Sequence, residues 1–220
     1  KGTAKQVSLK CDLKSAATGS YSWGYESTSS PDPTGLVSGQ SAAVTENDSI
    51  GQLMTAATAG DLTITLDSSA PYLLAAPGQT VTLADLKFTA TNEAVNLNQL
   101  SLMMSNPASN SPVTLVDQEV TLWDGTTKVG SATFPGSEGA GVINRATSSA
   151  ITGFTVPKQG SKVLTIKGVI AGISADGPMT RSGEFPSVDY DGGGGLTATY
   201  GTGVGSGQTI SPASGAAVTA

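Results

Sequence analysis

The sequence predicts an all-β protein built as an antiparallel β-sandwich, and three observations carry that prediction. Charged residues make up 13% of the 220-residue chain, against roughly 25% in an ordinary soluble domain, and Ser, Thr, Ala and Gly take their place. Thr and Val suit a pleated, half-buried surface, whereas Ser, Thr and Gly are weak helix formers. From Gly60 onward, short runs alternate apolar and polar residues and are separated by Gly- and Pro-rich breaks.

The strands can be placed in order along the chain. They are predicted at residues 61–67, 80–91, 95–104, 113–124, 128–134, 151–156 and 162–173. The apolar phase slips near Ala84-Asp85, which predicts a β-bulge there, and it slips again within residues 95–104. Asp124-Gly125 is a favoured hairpin dipeptide, because both central turn positions need positive φ. Strands at this spacing, with no helical period between them, are typical of an immunoglobulin-like antiparallel β-sandwich.

One segment leaves a helix open as an alternative. Within residues 41–57, four apolar residues from Ile50 to Ala57 keep the i, i+3, i+4, i+7 spacing of a helix face. Gly51 lies inside that segment and weakens a helix. The spacing alone therefore decides neither for nor against a helix.

The two halves of the chain show signs of a tandem repeat. The strand-like run Lys5 to Leu13 is similar to Lys162 to Ile170, and a fainter similarity links residues 60–64 to residues 215–219, both at a separation of roughly 155 residues. The predicted domains follow from that spacing. They are an N-terminal strand and loop segment at 1–59, which serves assembly or is the remnant of a preceding repeat, a β-sandwich at 60–215, and a tail or start of a next repeat at 216–220. Chance similarity between strands of like composition is the alternative.

Four segments carry a family resemblance: Gly60-Asp-Leu-Thr-Ile-Thr-Leu-Asp-Ser-Ser, Val81-Thr-Leu-Ala-Asp-Leu-Lys-Phe-Thr-Ala-Thr-Asn-Glu, Leu115 to Asp124, and Lys162 to Ile170. Together they resemble the immunoglobulin-like repeats of prokaryotic surface-layer and extracellular-filament proteins over roughly residues 60–175. The resemblance rests on strand rhythm and composition. It implies a structural role in sheaths, lattices or fibres outside the cell, and it supplies no active-site residues.

The residue inventory argues against catalysis. The chain has no His and one Cys, which excludes Ser-His-Asp and Cys-His catalysis, four-cysteine metal sites and CxxC redox motifs. We therefore expect a protein that is not an enzyme and that needs no cofactor or metal. With a net charge of −6 and scattered Lys and Arg, nucleic acid is not an expected partner. No apolar run approaches the roughly 20 residues needed to span a membrane.

Four local features have competing interpretations. Ser20 to Gly24 has the outline of a nucleophile elbow without a His base. Residues 201–207 are glycine-rich and are interpreted as a flexible loop. Asp189 to Gly192 begins like a calcium loop, but a solvated turn is the preferred interpretation. Cys11 is expected to be a small buried hydrophobe, with an intermolecular disulfide as the alternative.

The N-terminal strand is the first candidate functional element. Residues 1–59 contain one good strand and a long polar loop, so Val7, Leu9 and Leu13 need a partner surface. Strand addition to an exposed edge of a neighbouring module would supply backbone hydrogen bonds and apolar burial. The expected function is a non-catalytic structural subunit of an extracellular fibre, sheath or surface layer. Its partners are copies of itself, and it lies outside the cell or on the cell surface.

An aromatic row is the second candidate. Tyr21, Trp23 and Tyr25 lie at i, i+2 and i+4, which places three rings on one face of an extended segment. Such rows can stack on the flat faces of sugars, so the alternative function is a carbohydrate-binding or adhesin module that recognises cell-surface glycans. Tyr and Trp are also favoured at protein interfaces, which is the competing interpretation of the row.

Overall fold

The regular secondary structure of the described residues is almost entirely β-strand, as predicted. The computed structural model describes residues 4–6, 8–13, 17, 19–25, 33–45, 49–56, 60–69, 76–104, 110–135, 143–172, 186–192 and 199–212. The strands are β1 Gly19–Tyr21, β2 Gly24–Tyr25, β3 Ser49–Ile50, β4 Met54–Ala56, β5 Asp61–Ser69, β6 Thr80–Thr91, β7 Val95–Gln99, β8 Ser101–Met104, β9 Leu115–Asp124, β10 Thr127–Thr133, β11 Asn144–Thr147, β12 Thr155–Val156, β13 Gly160–Ile170, β14 Asp189–Tyr190, β15 Tyr200–Gly203 and β16 Thr209–Ile210. Within these ranges the one helical element is a 3₁₀ turn at Pro112–Thr114, and no helix is long and apolar enough to cross a membrane.

The chain divides into two compact units, Lys1–Thr58 and Ala59–Ala220, here called the first and second units. The second unit is an antiparallel β-sandwich, which confirms the predicted fold class. Its first layer is a five-stranded sheet in the order β10-β9-β13-β6-β5, in which every neighbouring pair is antiparallel. The predicted tail at 216–220 lies outside the described residues.

The strands of the five-stranded sheet form because their side chains alternate between two environments. In β5, Leu62 and Ile64 are buried while Asp61, Thr63 and Thr65 are exposed. β13 is the central strand and repeats this period of two, with alternate residues buried from Leu164 to Ile170. A period of two fixes the register, because a slip by one residue would expose the buried row.

The predicted bulge in β6 is confirmed and centres on Leu83. Opposite β13, Ile166 pairs with Ala84 and Lys167 pairs with Thr82, so Leu83 is the extra residue. Leu83 and Ala84 are consecutive and both buried, which is the apolar phase slip seen in the sequence. The bulge keeps both halves of a twelve-residue strand facing the core.

The second layer consists of two sheets, and one predicted strand is divided between them. Residues 95–104 form β7 and β8, which belong to a four-stranded sheet, β12-β7-β15-β16, and a three-stranded sheet, β11-β8-β14. Leu100 separates them, and Ser148 pairs with its backbone. The Leu100 amide donates to Ser148 Oγ at 3.0 Å, and the Ser148 amide donates to the Leu100 carbonyl at 2.9 Å. The second phase slip in the sequence therefore marks a break between two strands.

The core lies between these layers. Its buried side chains come from all three sheets of the second unit. Phe88 of β6 meets Phe154, just before β12, edge to face with ring centroids 5.6 Å apart. The largest fully buried side chains are Phe88, Phe134, Phe154, Leu62, Leu83, Leu86, Leu97, Leu100, Leu102, Met104, Leu115 and Leu122.

The hairpin between β9 and β10 is shifted by one residue from the predicted turn. Thr127 pairs with Asp124, so the two loop residues are Gly125 and Thr126. Gly125 has a φ of 59°, a conformation that costs glycine little. The Asp124 carboxylate lies 2.6 Å from Lys162 Nζ, so this residue ties the turn to the central strand.

Other predicted strands are shorter in the structure, because some of their buried residues lie in backbone that is not paired with another strand. The predicted strand 113–124 begins instead with the 3₁₀ turn, and strand pairing starts at Leu115. The predicted strand 151–156 shortens to β12, although Ile151 and Phe154 are buried in irregular backbone before it. Four short strands of the second unit, β11 and β14 to β16, were not predicted, because each has only two to four residues and no alternating run of apolar side chains.

The first unit contains a two-stranded antiparallel ribbon. β1 pairs with β4, β2 pairs with β3, and the Gly51 amide donates to the Trp23 carbonyl at 2.8 Å between the two pairs. The helix considered for residues 41–57 is therefore wrong. A Cβ at Gly51 would collide with the Trp23 carbonyl, so glycine permits the close approach that pairs this segment as β-structure.

Candidate functional site

The aromatic row lies on the ribbon of the first unit. Tyr21 and Trp23 are half-buried, and their rings stack with centroids 6.0 Å apart and an angle of 15° between their planes. Tyr25 follows on β2 and is 41% exposed. Tyr21 is opposite Met54 in the register of β1 and β4.

The ribbon lacks a buried core in the part of the first unit that the structure describes. No apolar side chain there reaches full burial, and several large ones are exposed. Ile50, Leu53 and Met54 are exposed on the second strand of the ribbon, and Leu36 and Val37 are exposed in a turn of the same unit. A two-stranded ribbon of this kind is marginally stable in water by itself.

The N-terminal segment, residues 5–13, has no strand pairing within its described residues, 5–6 and 8–13. Leu9 is 73% exposed and Leu13 is 46% exposed. Val7, the third residue of the predicted assembly strand, lies outside the described residues. Cys11 is exposed, so the expectation of a small buried hydrophobe is wrong.

The two edges of the five-stranded sheet differ. At β10, Ser149 donates its amide to the Ser131 carbonyl at 2.7 Å, and Thr152 donates to the Val129 carbonyl at 3.1 Å. Residues 148–152 therefore cover that edge. At β5, the described residues contribute no pairing on the side away from β6. We call these the covered edge and the open edge.

A carboxylate cradle lies where the start and the end of the second unit meet. Glu93 accepts backbone hydrogen bonds from Gly60 at 3.0 Å, Gly205 at 2.9 Å and Ser206 at 2.8 Å, and a fourth from the Ser206 hydroxyl at 2.6 Å. A Cβ at Gly203 would collide with the Glu93 carboxylate. Residues 201–207 were interpreted as a flexible loop, and that interpretation is wrong, because they form part of β15 and the turn that binds Glu93.

The cradle shifts the acidity of its carboxyl group. Partial burial raises the pKa of Glu93, but the hydrogen bonds from Ser206, Gly60 and Gly205 outweigh that effect. The net result is a pKa below the ordinary value of 4.5. No sequence signal predicted this site, because Glu93 and Ser206 are 113 residues apart.

The acidic pair Asp189 and Asp191 is buried, which overturns its interpretation as a solvated turn. Arg145 Nε donates to Asp191 Oδ2 at 3.0 Å, and the Asp191 side chain is 4% exposed. Burial raises the pKa of the Tyr190 phenol between them. Among the described residues, no group of three His, Cys, Asp or Glu side chains could hold a metal ion.

The residues Ser20 to Gly24, which resemble a nucleophile elbow in sequence, run along the first strand of the ribbon. A nucleophile elbow requires a strand-to-helix turn, which is not what they form. The described residues that stand out are therefore the apolar ribbon, the N-terminal segment, the open edge and the Glu93 cradle. These features can form contacts and fix conformation. Comparisons of the chain with protein-family models, with curated proteins and with solved structures found no match.

Proposed function

We propose that the chain is a non-catalytic structural subunit of an extracellular fibre, sheath or surface layer, whose modules join by strand addition. One observation carries the proposal. The second unit encloses a complete core, whereas the described apolar side chains of the first unit are exposed or half-buried. A chain that carries such an exposed segment in addition to a finished sandwich is suited to contact a partner.

The exposed leucines indicate how such a contact is stabilised. Burying a Leu side chain fully contributes about 1.5–3 kcal/mol, and Leu9 and Leu13 are both available for burial. Each new backbone hydrogen bond adds about 0.5–1.5 kcal/mol net. Association costs roughly 4–15 kcal/mol, so a strand of several residues with apolar anchors is needed to exceed it. Repeated head to tail, the contact is heterologous and produces a filament.

A second candidate function, a carbohydrate-binding or adhesin module, is favoured by the aromatic row. Tyr21 lies in β1 and the exposed Tyr25 in β2, and Trp23, whose ring stacks with that of Tyr21, lies between these two strands of the ribbon. Parallel aromatic faces can stack on sugar rings. The same rings are suited to a protein interface, so an experiment must separate the two functions.

Deleting residues 1–13 tests the structural function. We expect the full chain to form concentration-dependent assemblies in sedimentation velocity and electron microscopy, and the truncated chain to remain monomeric with an unchanged near-UV circular dichroism spectrum. Leu9→Ser/Leu13→Ser should reproduce the loss. Leu36→Ser/Val37→Ser, which replaces two even more exposed residues of the same unit, should assemble normally. Intact filaments from the truncated chain would rule the proposal out.

The aromatic row is tested in parallel with a Tyr21→Ala/Trp23→Ala/Tyr25→Ala variant. Binding to insoluble polysaccharides is measured by pull-down for this variant and for the unaltered chain. If the unaltered chain binds and the variant does not, while assembly persists, glycan recognition is the function of the row. If assembly is lost and polysaccharide binding is the same for both chains, the row belongs to the assembly interface.

A further inference from the structure

We propose that the open edge of β5 accepts the N-terminal segment of a second copy of the chain, which pairs with it as a sixth strand of the five-stranded sheet. This inference rests on the proposed function and adds the acceptor strand and the features that select it. The occupant is residues 5–13 of another molecule. Four observations on the two partners support the assignment.

The first observation is that this sheet has one edge available. The covered edge already pairs with residues 148–152, through the Ser149 and Thr152 amides and through Ser149 Oγ, which accepts from the Ser131 amide at 3.1 Å. The open edge runs for nine residues from Asp61 to Ser69. An edge of that length presents a row of N–H and C=O groups that template another strand unless something covers them.

The second observation is charge. Residues 5–13 contain two Lys against one acidic residue, Asp12, and Lys1 and Lys14 add two further positive charges beside the segment. The second unit contains seven basic residues against twelve acidic ones, and two of the acidic residues, Asp61 and Asp67, lie on the open edge. Neither forms an ion pair with another described residue. A basic strand and an acidic edge attract each other and disfavour pairing of two like edges.

The third observation is the match of faces. In an extended segment, Leu9 and Leu13 share one face and Lys10 lies on the other. In β5, Leu62 and Ile64 face the core, while Thr63 and Thr65 face solvent. Pairing in that phase places the two leucines beside the core row. It also places Lys10 on the solvent face of the sheet, beside the solvent-facing row of β5 that starts at Asp61.

The fourth observation is that every copy of the chain carries both partners. A single chain carries both the segment and the edge, yet its described residues show neither of them paired with a further strand. The segment is exposed at Leu9, Cys11 and Leu13. Pairing between molecules covers both the segment and the edge in every module except the two at the ends, one of which keeps a free edge and the other a free segment.

The edge is tested with a matched pair of variants. Thr63→Lys/Thr65→Lys places two positive charges on the solvent face of the open edge. Thr127→Lys/Thr133→Lys makes the same change at exposed threonines of β10, on the covered edge. Thermal unfolding establishes that both variants are folded. By sedimentation velocity, we expect the open-edge variant to need at least a tenfold higher concentration to assemble and the covered-edge variant to match the unaltered chain.

The outcomes separate this inference from the proposed function. If deleting residues 1–13 abolishes assembly while Thr63→Lys/Thr65→Lys assembles normally, the acceptor edge is wrong and the structural function stands. If the unaltered chain is monomeric at every concentration, both are wrong. A salt titration adds a further check, because screening should weaken assembly of the unaltered chain.

Disulfide trapping distinguishes a second copy from the chain's own segment. Ser8→Cys and Thr65→Cys are prepared in separate chains, each with Cys11→Ser, and are mixed and oxidised. Ser8 and Thr65 belong to the solvent faces of the two strands in the proposed pairing, and Thr63→Cys covers the neighbouring register. We expect a cross-linked heterodimer, and none when Thr133→Cys replaces the acceptor. Cross-linking only when both cysteines are in one chain would overturn the second-copy assignment.

Discussion

Replacing Glu93 with Gln tests whether the carboxylate cradle holds the start and end of the second unit together. The substitution keeps the side-chain shape but leaves one acceptor oxygen. With that oxygen in the place of Oε2, the Gly205 and Ser206 amides still have an acceptor, and the Ser206 hydroxyl can rotate to accept from the new NH₂ group. The Gly60 amide then faces a donor and loses its partner.

The magnitude follows from counting these bonds. One hydrogen bond to a charged acceptor is lost, and those that remain lose the charge assistance that makes them about twice as strong. Hydrogen bonds to charged groups contribute about 1.5–3 kcal/mol, but water can reach this half-buried site and replace part of the loss. We expect Glu93→Gln to reduce the free energy of unfolding by about 1–2 kcal/mol. In a unit of this size, that lowers Tm by about 3–6 °C.

The lowered pKa of Glu93 also predicts how its contribution to stability changes with pH. The pKa of Glu93 is lowered in the folded protein, so its stabilising contribution is fully present above the unfolded-state value near 4.5. The contribution is lost as pH falls through the folded-state pKa, where Glu93 becomes protonated and resembles Gln. The difference in Tm between the two proteins should therefore be largest near neutral pH and shrink below pH 4.5.

Differential scanning calorimetry across pH 2 to 7 checks both statements. Glu119→Gln is the control, because its carboxylate pairs with Lys128 at 3.6 Å on the exposed surface and should change Tm little. Equal Tm values for Glu93→Gln and the unaltered chain at pH 7 would refute the reasoning. So would a difference that stays constant down to pH 2.

Two further predictions concern the interior of the second unit. Arg145→Ala leaves the buried Asp191 carboxylate without its guanidinium partner and should cost about 2–3 kcal/mol in urea unfolding, whereas Lys128→Ala, at an exposed pair, should cost less than about 1 kcal/mol. Equal costs would show that burial of the pair has no energetic effect. Gly168→Ala would bring a Cβ within 2.9 Å of two leucine side chains and should cost about 1–3 kcal/mol, while Gly130→Ala, whose nearest contact is 3.4 Å, should change stability by less.

The strands of the five-stranded sheet could be predicted because their signal is local. A period of two in residues 61–67 and 162–170 requires one buried face, and the slip at Leu83 requires a bulge to keep both halves facing inward. Each of these signals lies within a dozen residues of sequence. That is why the sandwich was predicted and its boundaries were nearly right.

The remaining errors have a common physical origin in contacts between distant residues. The helix spacing at Ile50 to Ala57 was overridden by pairing with residues 19–25, where Gly51 lets two backbones approach. The short strands β14 and β15 form by pairing with β8 and β7, about a hundred residues earlier, and not through their own propensity. The Glu93 cradle depends on the same long-range contacts.

Among the candidate functional residues, too, features set by local sequence were predicted and features set by long-range contacts were not. The stacking of Tyr21 with Trp23 follows from their i, i+2 spacing in an extended strand. The exposure of Leu9 and Leu13 was expected of a segment in need of a partner. The difference between the covered and open edges was invisible in the sequence, because it arises from residues 148–152 folding back onto β10.

That difference also determines the growth of any polymer that uses this sheet. A subunit with one blocked and one receptive border can add a single neighbour there, so chains joined through it cannot branch at that point. Every finished fibre then has two unlike tips, one showing a vacant border and the other a dangling tail. Elongation rates at the two tips should differ, and a short peptide copied from the tail would cap one tip and leave the other growing.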